Sequence, residues 1–353
     1  MPLISALRHA LPLPFASASE PPGTGRLREP AKWDGACVDQ WKDSLQESDA
    51  VCAEMTTARR ELLREPATQL LVASAAPDRP LPCKYRVAVS HPALTNAMGQ
   101  LHASWLSKEA ASGGRSLVMA SPRVEDSIAW AAACAQHRVS AVVDLGGPDE
   151  ARLLKHCMRS TAPIILKHQS VAFKAENATG PTLHVEEKPM PALGPGAALR
   201  EVKMVMQPHF KGAGGQAAPA DAAAAEGGKD GDLKTIEQRM GWLRVPTAPG
   251  RAIAPGALLQ TCRHLRGLQL QGEQTVAFMS PQGDRRSAVF GAAWEIQRRI
   301  DQGAGAEVPL TKLVEAVCTQ VRAHRDPTAF ESKEDVASLL AFASLAMKER
   351  QSA

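Results

Sequence analysis

Two kinds of hydrophobic spacing alternate along the chain. Val38, Trp41, Leu45, Cys52, Met55 and Leu62 recur at intervals of three, four and seven, the period of one helical face, and predict a helix over about 31–65. From Pro82 the pattern shortens. β-type runs stand at Arg86–Val89, Leu117–Ala120, Val139–Leu145, Pro163–Lys167 and Leu199–Met206, with a helical stretch at Val124–His137 and strand-like sequence again at Met240–Val245. The C-terminal third predicts a helix over Pro255–Gly267, a short apolar strand at Thr275–Met279, and a turn-rich loop from Ser280 to Ser287. A helix carrying Val289, Phe290, Ala293, Trp294 and Ile300 follows, then two more at about 310–324 and 334–349. Mixed strands and helices in this order predict an α+β fold of the α/β type: a central mixed twisted sheet flanked by helices, with an N-terminal helical preface.

Two segments carry neither pattern. Residues 1–30 are rich in Pro, Ser and Ala. Phe15-Ala16-Ser17-Ala18 imitates a signal-peptidase site, but Arg8, His9 and the prolines before it interrupt any apolar stretch, so the segment reads as a disordered leader. Residues 211–232 hold Gly, Ala, Asp and Pro with almost nothing to bury, and read as a low-complexity loop inserted in one domain. The expected organisation is a leader over 1–30, a helical preface over 31–70, and one domain over 80–350 that contains the insertion.

Composition narrows the choice of function. With 353 residues, 44% of them hydrophobic and 22% charged, the chain can bury a large core. A net charge of +4 is too diffuse for a nucleic-acid footprint, and no apolar run approaches the ~20 residues of a membrane helix. Seven cysteines are scattered singly without a C-x-x-C pair, which argues against a disulfide framework and a zinc module; no metal and no cofactor is expected. Aromatic residues make up 4% of the chain, with a single tyrosine, Tyr85.

The element with chemical potential is the strand, loop and helix around residue 280. Such a loop gathers unpaired N–H groups at the positive end of a helix, a place for an anion, and Arg286 can add a bidentate fork. The plain alternative is an ordinary strand-to-helix turn with Arg285 and Arg286 as solvated charges.

Ser280-Pro281-Gln282-Gly283-Asp284-Arg285-Arg286-Ser287 resembles the signature loop of the protein tyrosine phosphatase family, H-C-x5-R-[ST] between a strand and a helix. Ser280 falls on the nucleophilic cysteine, Gly283 on the loop glycine, Arg286 on the phosphate-binding arginine, and Ser287 on the hydroxyl that assists the leaving group. Other segments are similar in the same order. Lys84-Tyr85-Arg86 resembles N-R-Y, Leu101 to Leu106 resembles Y-I-N-A-S-x-I, and Val124-Glu125-Asp126 with Trp130 resembles V-E-D-F-W. Val139–Val143 falls on the V-I-V strand and Val245-Pro246-Thr247 on the W-P-D general-acid loop. Phe330, Glu331 and Asp335 stand where the family carries water-positioning glutamines. The resemblance covers about 80–350 and is greatest to the tyrosine phosphatases that bacterial pathogens secrete into host cells.

The resemblance implies a tyrosine-phosphatase-like fold with phosphate held by Ser280, Gln282, Gly283 and Arg286 and the phosphotyrosine ring packed on Tyr85. The family's catalytic positions would be Ser280, Arg286, Ser287 and Thr247. Hydrolysis needs a thiolate and a carboxylic acid, and Ser280, Thr247 and Met279 stand at the cysteine, aspartate and histidine positions. The expectation is therefore a catalytically inactive pseudophosphatase, exported as an effector by type III secretion, with host phosphotyrosine proteins as partners and a secretion chaperone beside them. Two alternatives stay open: an active phosphatase with a rearranged site, and a phosphatase-fold scaffold that ignores anions. For the loop itself, Arg286, Gly283 and the helix N-terminus favour an anion. Pro281 without an N–H, the Asp284 carboxylate, and Arg285 in place of a small residue oppose it.

Overall fold

The computed structural model describes residues 35–64, 87, 101–111, 114–122, 127–146, 182–189, 198–207, 236–245, 247, 251–270, 273–283, 285–304, 308–325, 329–330 and 332–352. Among the described residues seven strands form one mixed sheet: β1 (Ala103–Ala111), β2 (Gly114–Ala120), β3 (Val139–Asp144), β4 (Thr182–Pro189), β5 (Ala198–Gln207), β6 (Ile236–Arg244) and β7 (Thr275–Ser280). Their order is β1-β2-β7-β3-β6-β5-β4. The four central strands β2, β7, β3 and β6 run parallel. β1 closes one side antiparallel to β2, while β5 and β4 close the other as an antiparallel pair. The expected α+β fold with a central mixed sheet is the one observed.

The period-two alternation of the strands divides the core. Val276 and Phe278 of β7, Ala141 and Val143 of β3, and Val118 of β2 point to one face. Ala277 and Met279, Val142, and Leu117 and Met119 point to the other. That second face is covered by helix α2 (Ser127–Gln136), whose Trp130 meets Trp242 edge to face at a centroid distance of 6.0 Å. The first face takes the remaining helices: α1 (Gly35–Arg64), α3 (Pro255–Gly267), α4 (Arg285–Asp301), α5 (Leu310–His324) and α6 (Lys333–Ser352). Among the described residues, no helix is long and apolar enough to cross a membrane.

Helix α1 lies in the stretch whose spacing predicts one, and it packs on the body through the same face. Trp41 seats against Ala337 and Ala341 of α6 and donates its indole N–H to Glu334 O at 3.4 Å. Val51 and Met55 join the main core. Ser44 and Ser48, buried between them, donate to Gln40 O and Leu45 O of their own helix, so the stripe leaves no hydroxyl unsatisfied.

Helix α4 is the element that carries the site. Ser287, Gly291 and Glu295 recur every four residues and form the stripe turned to the sheet. A Cβ on Gly291 would stand 2.5 Å from Leu106 Cδ1 and 3.0 Å from Val118 Cγ2, so the absence of a side chain lets the helix sit low over β2 and β7. One turn on, buried Glu295 accepts from Ser116 Oγ of β2 and from Arg298 Nη1 at 3.0 Å.

Candidate functional site

The carboxyl ends of the four parallel strands line up at one edge of the sheet, where Ala120 pairs with Ser280, Asp144 with Met279, and Asp144 with Arg244. Ligand sites of open parallel sheets form in this place, because the strand ends and following helix N-termini face one crevice. The chain leaves β7 through a tight turn. Gly283 N–H donates to Ser280 O at 3.0 Å, with Pro281 at the second position fixing φ and glycine at the fourth. Ser280 belongs to the strand, and α4 already begins at Arg285, so the loop expected over 280–287 is shorter and Arg285, Arg286 and Ser287 are its helical first turn.

The turn is pressed into its place from both sides. Gly283 has φ +69°, and a Cβ there would stand 2.3 Å from Ala120 N and 2.6 Å from Arg325 Nη2. Arg325, buried just after α5, donates from Nε to Gly283 O at 2.8 Å and from Nη1 to Ser104 Oγ of β1 at 3.2 Å. Sequence reasoning passed over Arg325. Its only signal is a charged residue beyond a helix end, 42 positions from the glycine it holds.

Ser280 is fully buried. Its hydroxyl donates to Ser287 Oγ at 3.0 Å and accepts from Gly283 N–H at 3.1 Å. Neither partner is a base, so nothing in this arrangement draws the proton from the serine and makes it a nucleophile. Ser280, Gly283 and Ser287 are thus joined by hydrogen bonds, Arg286 in the first turn of α4 reaches Leu145 and Thr247 instead, and Gln282 is exposed at the turn's tip. Tyr85, Asp284 and Glu331 lie outside the described residues.

Thr247 lies beside the turn. Its hydroxyl donates to Leu145 O at 2.8 Å; Arg286 Nη1 donates to the same oxygen at 3.2 Å and to Thr247 O at 3.4 Å. Leu145 O is therefore the hub that joins the end of β3, the segment after β6 and the loop arginine. The turn presenting it is fixed by Asp144, whose Oδ1 accepts from Gly146 N–H at 3.0 Å.

Asp144 is 3% exposed. Burial pushes its carboxyl above the ordinary range, opposed by the Gly146 N–H, Arg244, Trp242 and Arg286. With the folded pKa above the unfolded one, the ionised carboxylate lowers stability. The loss is absent below the ordinary carboxylate range and complete above the raised value. Asp144→Asn, which keeps an acceptor for Gly146, is expected to match wild type in acid and to exceed it increasingly as pH rises through that window. Urea unfolding at stepped pH reads this directly, and parallel curves for the two proteins would count against it.

Two further expected positions have a defined place. Asp335, in the first turn of α6, is gripped by Arg285. Phe330 has φ +60°, an uncommon conformation for a bulky residue. It is held by Arg322, which donates to Phe330 O at 3.1 Å, Ala329 O at 2.6 Å and Met55 O at 2.7 Å. Of the described cysteines, none forms a disulfide, and burial raises the thiols of Cys134, Cys262 and Cys318, which leaves them inert as nucleophiles.

No family model matches the chain, and no curated protein matches it. Solved structures do. The catalytic domain of human protein tyrosine phosphatase non-receptor type 18 superposes with a TM-score of 0.56 at 14% identity, covering 89% of this chain and 100% of that one. A structure of PTPN18 described for its fingerprint on distinct HER2 tyrosine phosphorylation sites gives 0.56 at 16% identity, covering 87% and 99%. PTPN18 in complex with HER2 phosphopeptides gives 0.52 at 14%, covering 89% and 93%. The likeness is one of fold: the chain has a tyrosine-phosphatase-like architecture over most of its length.

Proposed function

We propose that this protein is a phosphatase-fold binding protein that does not hydrolyse phosphoesters and uses the turn between β7 and α4 to hold the phosphoryl group of phosphotyrosine proteins. The observation that carries the first half is the hydrogen bonding of Ser280, a buried hydroxyl that gives its proton to another hydroxyl. A serine in the place of a thiolate needs a base, as serine hydrolases have in histidine. Thr247, at the position of the general acid, has no proton of suitable acidity, and its hydroxyl is spent on Leu145 O.

Three features support the second half. The N–H of Gly283 is aimed at the Ser280 side chain, α4 begins directly behind the turn, and Arg286 Nη1 donates to the neutral carbonyls of Leu145 and Thr247. A phosphoryl oxygen is a stronger acceptor than a carbonyl and can draw a guanidinium from such partners. PTPN18, of the same fold, has been solved with phosphopeptides.

A second reading has its own observation. The ties from Arg286 to Leu145 O and Thr247 O also suit a turn that is purely structural, in a scaffold that ignores anions. Titration of a phosphotyrosine peptide into wild type and Arg286→Ala separates the two. Loss of a bidentate charge-assisted pair is expected to weaken binding by roughly tenfold to a hundredfold. Equal affinities would favour the scaffold, and turnover of an aryl phosphate that disappears in Arg286→Ala would favour an enzyme.

A further inference from the structure

Two arginines open α4, and no acidic residue stands in its first turn. Cations are disfavoured at the positive end of a helix dipole, so negative charge nearby is favoured. Asp284 precedes the helix in sequence, and a second acid comes from α6. Arg285 grips Asp335 with a fork, Nε to Oδ2 at 2.5 Å and Nη2 to Oδ1 at 2.9 Å, between residues 50 positions apart in sequence. Asp335 is fully buried in the first turn of α6, and its own N–H donates to Ser332 O at 3.1 Å. One carboxylate therefore links the first turns of two helices, and both dipoles favour its charge. The fork on Arg285 is the geometry by which an arginine takes a phosphate.

We propose that Asp335 is a resident anion of the loop: it occupies the Arg285 fork and offsets the positive end of α4, so that a phosphoryl ligand is met by Arg286 without its neighbour. The inference rests on the reading of the turn as a phosphoryl site and adds what restrains it. Arg285 is the half that can move, its side chain being 35% exposed against 1% for Asp335. The other nearby acidic group on α6, Glu334, accepts from Ser332 Oγ and does not replace Asp335 in the fork. Burial pushes the Asp335 carboxyl above its ordinary range, while the hydrogen bonds and charge of Arg285 oppose this.

The test uses the full chain with two probes, inorganic phosphate and a phosphotyrosine peptide, against wild type, Asp335→Asn, Arg285→Ala/Asp335→Asn and Arg286→Ala, each checked by thermal melting. Asp335→Asn is expected to tighten both probes by roughly tenfold, about one charge-assisted hydrogen bond, and the double variant to lose that gain. Asp335→Ala makes the same comparison if the asparagine variant melts below the working temperature. Unchanged or weaker binding by a folded Asp335→Asn, or a gain that survives in the double variant, overturns the inference. Wild-type binding that Arg286→Ala abolishes and Asp335→Asn leaves unmoved overturns it alone and leaves the proposed function standing. Binding by none of the proteins removes both.

Discussion

Gly283→Ala is expected to destabilise the protein by about 3–5 kcal/mol and to abolish any anion binding at the turn. A left-handed conformation costs a residue with a Cβ about 1–2 kcal/mol, and the φ of +69° requires it. The larger part is steric. The added carbon would stand 2.3 Å from Ala120 N and 2.6 Å from Ala120 Cα, backbone atoms of a central strand that cannot swing aside as a side chain can. Relief requires the turn to lift, and lifting it breaks the Arg325 to Gly283 bond and the Gly283 to Ser280 bonds. Chemical denaturation measures the first effect and phosphate titration the second. A loss below about 0.5 kcal/mol, the range of indifferent surface changes, would show that the turn is not held as tightly as its contacts require.

The second large effect is a gain. Ser280→Cys places a thiol against the Gly283 N–H and the Ser287 hydroxyl, which must reverse to donate to a thiolate, and a thiolate forms far more readily there than a serine alkoxide. It still lacks an acid. Thr247→Asp puts a carboxyl beside Arg286, whose Nη1 already reaches Thr247 O. The double variant Ser280→Cys/Thr247→Asp is expected to hydrolyse phenyl phosphate at least about a hundredfold faster than Ser280→Cys alone, the usual worth of general-acid catalysis. With p-nitrophenyl phosphate the advantage should shrink, because that leaving group needs little protonation. Equal rates for the single and double variants on phenyl phosphate would mean that position 247 does not address the leaving group. No rate from either would mean that the turn lacks the shape for phosphoryl transfer.

These two substitutions also show where the sequence was readable. The ends of α3 and α5 agree with those expected from apolar spacing, because both are amphipathic helices whose buried faces, Leu258, Cys262 and Leu265 in one and Leu313, Val317 and Val321 in the other, repeat at helical period. Strands β2, β3, β5, β6 and β7 stand where apolar runs lie. Edge strands were harder to see. β1, ASWLSKEAA, and β4, TLHVEEKP, the outermost strands of the sheet, are dilute in β-branched residues and carry charges, so their sequences do not read as strands. The runs expected at Arg86–Val89 and Pro163–Lys167 lie outside the described residues, except Val87.

The site divides in the same way. Ser280, Gly283, Arg286 and Ser287 are close in sequence, so a motif can gather them. Arg285 and Asp335 are legible only as two separate oddities, a large residue in place of a small one and an acid in place of a glutamine. Their pairing depends on where α6 begins relative to α4, which no local pattern contains. Arg325 and Ser104 were hidden for the same reason: each is an unremarkable polar residue until the sheet and α5 bring them to one turn.

The stripe of α4 acts as an index. Ser287 reaches Ser280, Gly291 fits between Leu106 and Val118, and Glu295 engages Ser116. With a rise of 1.5 Å per residue, the buried carboxylate lies about 12 Å along the axis from Ser287. Sliding the helix or turning it by one residue would leave Glu295 and Arg298 buried out of register with Ser116, so a charge pair remote from the turn sets the angular phase at which Arg286 and Ser287 are presented. Substitutions at Glu295 should thus be felt at the far end of the helix as a mis-aimed arginine, before they are felt as a loss of fold.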